Sequence, residues 1–305
     1  MFLETHKMKK LLPVALVAMC AALTTAGVQA QTLDKIKKDG AITIGHRDAS
    51  IPFSYFDDKQ QPIGYSMDIC MKIADAVKAE LKMPNLKVNL NPVTSATRIP
   101  LMANGTIDLE CGSTTNNLDR QKQVSFAPTT FVTANRLMAK KASNITKLDD
   151  MKGKALVSTS GTTNIKQVTE LNASRNLGMN IMAAKDHAES FLMVETGRAV
   201  AFAMDDILLY SLVASSKAPA DYVITSEALS VEPYGIMMRK DDPAFKKVVD
   251  TAVINLIKSG EIEKIYNKWF MSAIPPKGIN LNLPMSAALK KAFANPTDSG
   301  DPAKY

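Results

Sequence analysis

The stretch from Thr94 to Thr115, TSATRIPLMANGTIDLECGSTT, decides the fold. Proline fixes φ and has no N–H, so Pro100 suits the first position of a helix. That places a helix start near Ile99 and leaves Arg98 in the loop before it. Gly105 suits the helix C-terminus. Thr106 to Cys111 alternates polar and apolar residues, the period of a half-buried strand. Gly112-Ser113-Thr114-Thr115 ends that strand with small, hydroxyl-bearing residues. An arginine and a hydroxyl cluster thus sit on two loops, each following a strand. In open α/β sheets such loops meet at one edge and bind ligands there. The pair reads as a carboxylate clamp, with a fork of donors from Arg98 and hydroxyls from Ser113 and Thr115. A solvated arginine and an ordinary helix cap fit this stretch equally well.

Outward from it, strands and helices alternate. Ala41–Gly45 reads as a first strand, followed by a loop to Pro62 with the aromatic patch Phe53, Tyr55 and Phe56. Core is the default for these rings, and a ligand wall is open to Phe53 and Tyr55. A helix follows from Gly64 to about Leu81, with Ile69, Ile73, Ala76 and Val77 at helical spacing and Tyr65 and Met67 as core. Leu86–Leu90 is the second strand. The alternation predicts a mainly parallel sheet. Thr129–Lys140 reads as an extended exit into a second α/β unit, with strands at 155–158, 181–184 and 199–204. Ser160-Gly161-Thr162-Thr163 opens a helix there, and His187 precedes another. Pro233–Arg239 heads back, and helices at 242–257 and 261–270 follow. The expected domains are 31–133 plus 231–295, and 134–230, joined by crossings near 131–137 and 228–234, with a cleft between them. A tail over 296–305, rich in Asn, Pro, Ser and Asp, is expected to be flexible.

The 305 residues, 46% of them hydrophobic, suffice for two cores. Lys7, Lys9 and Lys10, the apolar run from Leu11, and Val28-Gln29-Ala30 read as a signal peptide over 1–30, cut after Ala30. Cys20 follows Met19, too large for a good lipoprotein cleavage site, so no lipid anchor is expected. Losing three lysines and one glutamate with that leader takes the net charge from +7 to +5. This mild, dispersed charge gives nucleic-acid binding little support. Cys70 and Cys111 remain, and two buried thiols are expected, because a chain of this size does not need a disulfide. With His46 and His187 as the mature histidines, and no metal, P-loop or GxSxG motif, neither metal nor cofactor is expected.

GHRDASIPFSYFDD (45–58), GYSMDICMKIA (64–74), the Thr94–Thr115 stretch, VSTSGTT (157–163) and IYNKWF (265–270) together resemble the bacterial periplasmic amino-acid-binding proteins of polar amino acid ABC transporters, extracellular solute-binding family 3. The resemblance runs along essentially the whole mature chain. GHR, SATRIPL, ECGSTTNN, SGTT, AKDH and MDD, in this order, are most similar to members that take glutamate and aspartate. Ser66 departs from the family's usual acidic residue and is expected to lie away from the pocket. The resemblance implies a two-domain Venus-flytrap fold that closes on one amino acid. It implies a monomer, exported to the periplasm, that delivers its ligand to ABC transporter membrane subunits. It also implies roles: Arg98 and Thr163 for the α-carboxylate, Ser113 and Thr115 for the ligand backbone, Asp205 for the ammonium, and Arg47, Ser95 and His187 for the side-chain carboxylate.

Alternatives stay open at single residues. Thr162 or Thr163 can simply cap its helix, His187 can be a cap or surface residue, and Asp206 can replace Asp205. Two other functions also fit the scaffold: a dehydratase-like enzyme, and a sensor subunit for acidic amino acids.

Overall fold

The computed structural model describes residues 1–2 and 32–305. The leader's charged and apolar stretches, the cut after Ala30 and Cys20 lie outside the described residues. Two five-stranded sheets organise the chain. In the first, Ala41–His46 pairs in parallel with Lys87–Pro92 and Leu109–Glu110, and Met237–Arg239 runs antiparallel between Leu109–Glu110 and Val124–Phe126. In the second, Ala155–Thr159 pairs in parallel with Asn180–Ala184 and Ala201–Asp205. Asn135–Lys140 then runs antiparallel to Ala201–Asp205 and to Tyr222–Ile224. Both sheets are therefore mixed rather than mainly parallel. Each antiparallel strand belongs to chain that has just crossed between lobes, and it enters against the direction set by the βαβ units.

The crossings are the strands Phe131–Thr133 and Glu232–Tyr234, paired antiparallel with Tyr234 opposite Phe131. They fall where the extended runs placed them. Aromatic side chains gather at this junction: Phe53 to Phe131 and Phe131 to Phe270 at 5.0 Å between centroids, and Tyr266 to Phe270 at 4.4 Å. Phe53 and Tyr55 are thus core, and the Tyr55 hydroxyl donates to Pro275 O at 2.7 Å.

Three expectations are corrected. Cys70 and Cys111 form a disulfide, their Cα atoms 6.2 Å apart. Chain size says that a bridge is unnecessary, whereas the packing of helix Tyr65–Leu81 beside the end of Leu109–Glu110 brings the two residues within bridging distance. Residues 296–305 are tied down rather than loose. Thr297 O accepts from Thr129 N, Asp298 O accepts from Asn116 and Gln121, and Tyr305 OH lies 2.6 Å from Thr129 Oγ1. A polar composition counts side chains and misses backbone carbonyls that find amide donors. Pro100, finally, is the third residue of helix Arg98–Ala103, so Arg98 opens that helix. The missing N–H costs nothing there either, because the first four N–H groups of a helix lack intrahelical partners.

Candidate functional site

The site forms where loops from both sheets face each other. Arg47 follows the first strand and is 3% exposed. Its N–H donates to Ser54 Oγ at 2.8 Å, which fixes the backbone, while Nη1 finds no partner among the described residues. Its stem passes Gly112, where a Cβ would sit 2.7 Å from Arg47 Cγ and 2.4 Å from Glu110 Oε1. The small residue after the second loop's strand is thus what admits both charged groups.

Arg98 is held by the loop it was expected to meet. Its Nη1 donates to Ser113 O at 3.2 Å and to Thr114 Oγ1 at 2.5 Å, and the Thr114 hydroxyl donates onward to Glu110 Oε2. Glu110, fully buried, lies 3.9 Å from Arg98. Arg98 Nε has no partner among the described residues. Ser66, expected away from the pocket, supports this loop, since its hydroxyl donates to Gly112 O at 2.8 Å.

The second lobe supplies the opposite wall. Thr162 caps helix Thr163–Ser174, its hydroxyl accepting from Ile165 N. That frees Thr163, whose Oγ1 donates to Glu232 at 3.0 Å and lies 3.4 Å from Thr115 Oγ1 across the cleft. His187 is the first residue of helix His187–Glu195, but Asp186 is the cap. The imidazole is buried, with Nδ1 2.8 Å from Thr159 Oγ1 and Nε2 without a partner among the described residues. Asp205 accepts from Asn164 at 2.7 Å and from the Tyr234 hydroxyl. Asp206 is engaged elsewhere, with Thr133 Oγ1 at 2.5 Å and Arg136 Nε at 3.0 Å.

Ser95, Arg98, Ser113, Thr115, Thr163, His187 and Asp205 line one cavity of about 10 Å³. Arg47 does not line it, yet its charge reaches His187. Burial, then Arg47 and Arg98, hold the His187 pKa well below the ordinary value, so the ring is neutral. Burial and the neighbouring Arg98 bring Arg47 down to about 10, still charged at neutral pH. Burial, with Glu232 beside it, raises Asp205 to about 7. Nine buried side-chain polar atoms lack partners among the described residues. Five of them belong to Arg47, Ser95, Arg98, Ser113 and His187. Buried polar atoms are normally paired, so this concentration marks a place built to bond something else. Four residues here escaped the sequence reading: Glu110, Glu232, Tyr234 and Arg120, which is buried and donates to Thr115 O and to Gly161 O. Glu110 alternates within a strand and Arg120 sits in a charged run, so neither carries a local signal. Glu232 and Tyr234 lie on the crossing that the reading located.

The model of the bacterial extracellular solute-binding proteins, family 3, matches residues 42–272. The chain belongs to this family. It is a solute-binding protein rather than an enzyme. It is 56% identical to the L-glutamate/L-aspartate-binding protein of Pseudomonas aeruginosa, over 92% of this chain and 95% of that one. It is 50% identical to the glutamate/aspartate import solute-binding protein of Salmonella typhimurium, over 88% of each. Among solved structures, an ancestral arginine-binding protein bound to arginine superposes with a TM-score of 0.68. The identity is 27%, over 76% of this chain and 98% of that one. An ancestral amino acid-binding protein described as a precursor of cyclohexadienyl dehydratase gives 0.65 at 29% identity, over 78% of this chain and 99% of that one. The fold is the two-domain periplasmic-binding-protein fold. No helix among the described residues is long and apolar enough to cross a membrane.

Proposed function

We propose that this chain captures glutamate and/or aspartate by closing two lobes around it and hands it to the membrane subunits of an ABC importer. The observation that carries this reading is the excess of unpartnered buried donors, which come from both lobes and suit a ligand with two carboxylates. Arg98, with Thr163 at a helix N-terminus, takes the α-carboxylate. Ser113 and Thr115 hold the ligand backbone, and Asp205, on giving up its proton, accepts the ammonium. Arg47, Ser95 and neutral His187 take the distal carboxylate, His187 donating from Nε2 if its Nδ1 accepts from Thr159. The relatives' names supply the ligand class.

The lobes comprise 31–133 with 231–295, and 134–230. The protein works as a periplasmic monomer after removal of residues 1–30. The test is calorimetric titration of a panel of amino acids into protein that has been unfolded and refolded to strip carried ligand. Glutamate or aspartate is expected to bind tightest; a panel led by a neutral or basic amino acid overturns the reading.

A further inference from the structure

Residues 297–305 lie along the chain that continues from Ser113 and Thr115. The Asp298 carbonyl accepts from Asn116 Nδ2 and from Gln121 Nε2, both at 2.8 Å, and Gln121 Nε2 also donates to Asn116 Oδ1 at 2.8 Å. Asn116 is fully buried and directly follows Thr115, and its N–H donates to Pro233 O at 2.7 Å on the crossing. Gly300 lies against the main chain of Asn117 and Leu118, where a Cβ on it would sit 2.7 Å from Asn117 C and 2.9 Å from Leu118 N. Leu118 opens the short helix Leu118–Gln121, which Asn117 caps and whose Arg120 donates to Thr115 O at 2.8 Å. The tail is itself pinned along its length. Thr129 N donates to Thr297 O, the Asp298 carboxylate pairs with Lys246 at 2.8 Å, and Tyr305 OH donates to Ser299 O at 2.9 Å. Thr115 and Thr163 line the cavity of about 10 Å³ and also a neighbouring one of about 220 Å³, whose wall includes Gly300 and Pro302. The tail thus stands directly behind groups that face the cleft.

We infer that residues 297–305 are a strap that pre-sets the Ser113–Thr115 loop for its ligand, with Gly300 and Gln121 as positioning residues where strap and loop meet. The inference rests on the proposed function and adds what holds one wall of that site in place. Every bond of the strap named above stays within the first lobe, so closure neither makes nor breaks it. Its effect is preorganisation: a loop already ordered spares the ligand the entropic cost of ordering it. Gly300→Val drives a side chain into the main chain of Asn117 and lifts the strap. Gln121→Ala removes the donor that joins Asp298 O to Asn116 Oδ1. Both substitutions open the same contact from opposite sides.

The experiment measures glutamate and aspartate affinity by calorimetry, and amide hydrogen exchange without ligand, in the full chain carrying Gly300→Val, Gln121→Ala or both. Each single variant is expected to bind both amino acids about tenfold more weakly, the size of one or two lost hydrogen bonds. The ratio of the two affinities stays within about twofold of the wild type, because the loop serves the part that both ligands share. Exchange quickens at the Asn116 and Gln121 amides and is unchanged in the sheet strands. The double variant stays near the weaker single variant, whereas independent sites would multiply to about a hundredfold. Folded variants with wild-type affinity overturn the strap. So do losses that multiply, a shifted ratio, and exchange that quickens throughout the sheets, which makes the contact merely structural. If Gly300→Val does not fold, Gln121→Ala decides by the same affinity and exchange readings. A wild type that binds neither acidic amino acid overturns the functional reading instead.

Discussion

Arg47 and Arg98 are both buried arginines, and the packing around them differs. Arg98 is braced by Ser113 O and Thr114, with Glu110 behind them, and its Nε is left without a partner among the described residues. Arg47 is braced at its backbone, and Nη1 is left over. An α-carboxylate is common to every amino acid, and a distal carboxylate is not. Arg98→Ala is therefore expected to weaken all ligands, by about 2–5 kcal/mol. Arg47→Met is expected to weaken glutamate but barely affect glutamine, shrinking a wild-type preference of at least about 3 kcal/mol, roughly a hundredfold. Competition of each amino acid against labelled glutamate reads both effects. Wild-type protein that binds glutamine as tightly as glutamate would remove the acidic-ligand assignment.

Asp205 gives a pH prediction at the same scale. Its pKa in the fold stands near 7 against an ordinary 3.8. Between about pH 4 and 7 the folded chain keeps a proton that the unfolded chain has released, so this residue's contribution to stability falls as pH rises through that window. His187 acts in the other direction, because the unfolded chain takes up its proton below pH 6.5 while the folded ring stays neutral. The difference between wild type and Asp205→Asn isolates the carboxylate. Asp205→Asn is expected to gain about 2–4 kcal/mol relative to wild type between pH 4 and pH 8, in ligand-free denaturant titrations. A difference that does not change with pH counts against a buried, proton-holding Asp205.

At the scale of elements, the chain's local signals were read well where one residue type has one physical use. The Thr129–Lys140 run located a crossing, the helix expected from 242 is Pro243–Lys258, and Phe53 and Tyr55 of the aromatic patch became core. They were ambiguous where two neighbours can exchange roles. Only the hydrogen bonds separate Thr162 as cap from Thr163 as cleft residue, or Asp205 as cavity wall from Asp206 as partner of Arg136. They failed where the decisive partner is distant in sequence. Glu110 acts through Arg98, Arg120 bonds to Gly161 O, and Cys70 to Cys111, which lies 41 residues away. The disulfide also clamps helix Tyr65–Leu81 to the residue before Gly112-Ser113, at the root of the arginine-bracing loop. Replacing both cysteines by alanine is expected to cost about 2–4 kcal/mol of stability, consistent with closing a loop of this length. Urea titration of the double variant in parallel with oxidised wild type measures it, and equal midpoints would show that the bridge is energetically idle.

At the scale of the whole molecule, the same unpartnered atoms decide which shape is stable. The cavity is about 10 Å³, room for about one water, so an amino acid enters only when the lobes part. Shut without an anion, the protein holds Arg47 and Arg98 out of water with donors unused, which is costly. Open, those donors are hydrated, and the losses are modest: the Arg120–Gly161 hydrogen bond, the exposed Lys166–Asp119 pair and the Thr115–Thr163 contact. An acidic amino acid reverses the balance by pairing the buried charges, and it shifts the population toward the shut form by its differential affinity for that form. On the proposed closure, the two paired strands of the crossing, Phe131–Thr133 and Glu232–Tyr234, are where the lobes are expected to hinge. Small-angle scattering is therefore expected to show a smaller radius of gyration at saturating glutamate than in refolded, ligand-free protein, while glutamine at the same concentration leaves the open form dominant. If the radius is the same with and without glutamate, the buried donors are tolerated in the shut form, and closure is not what the ligand's charge drives.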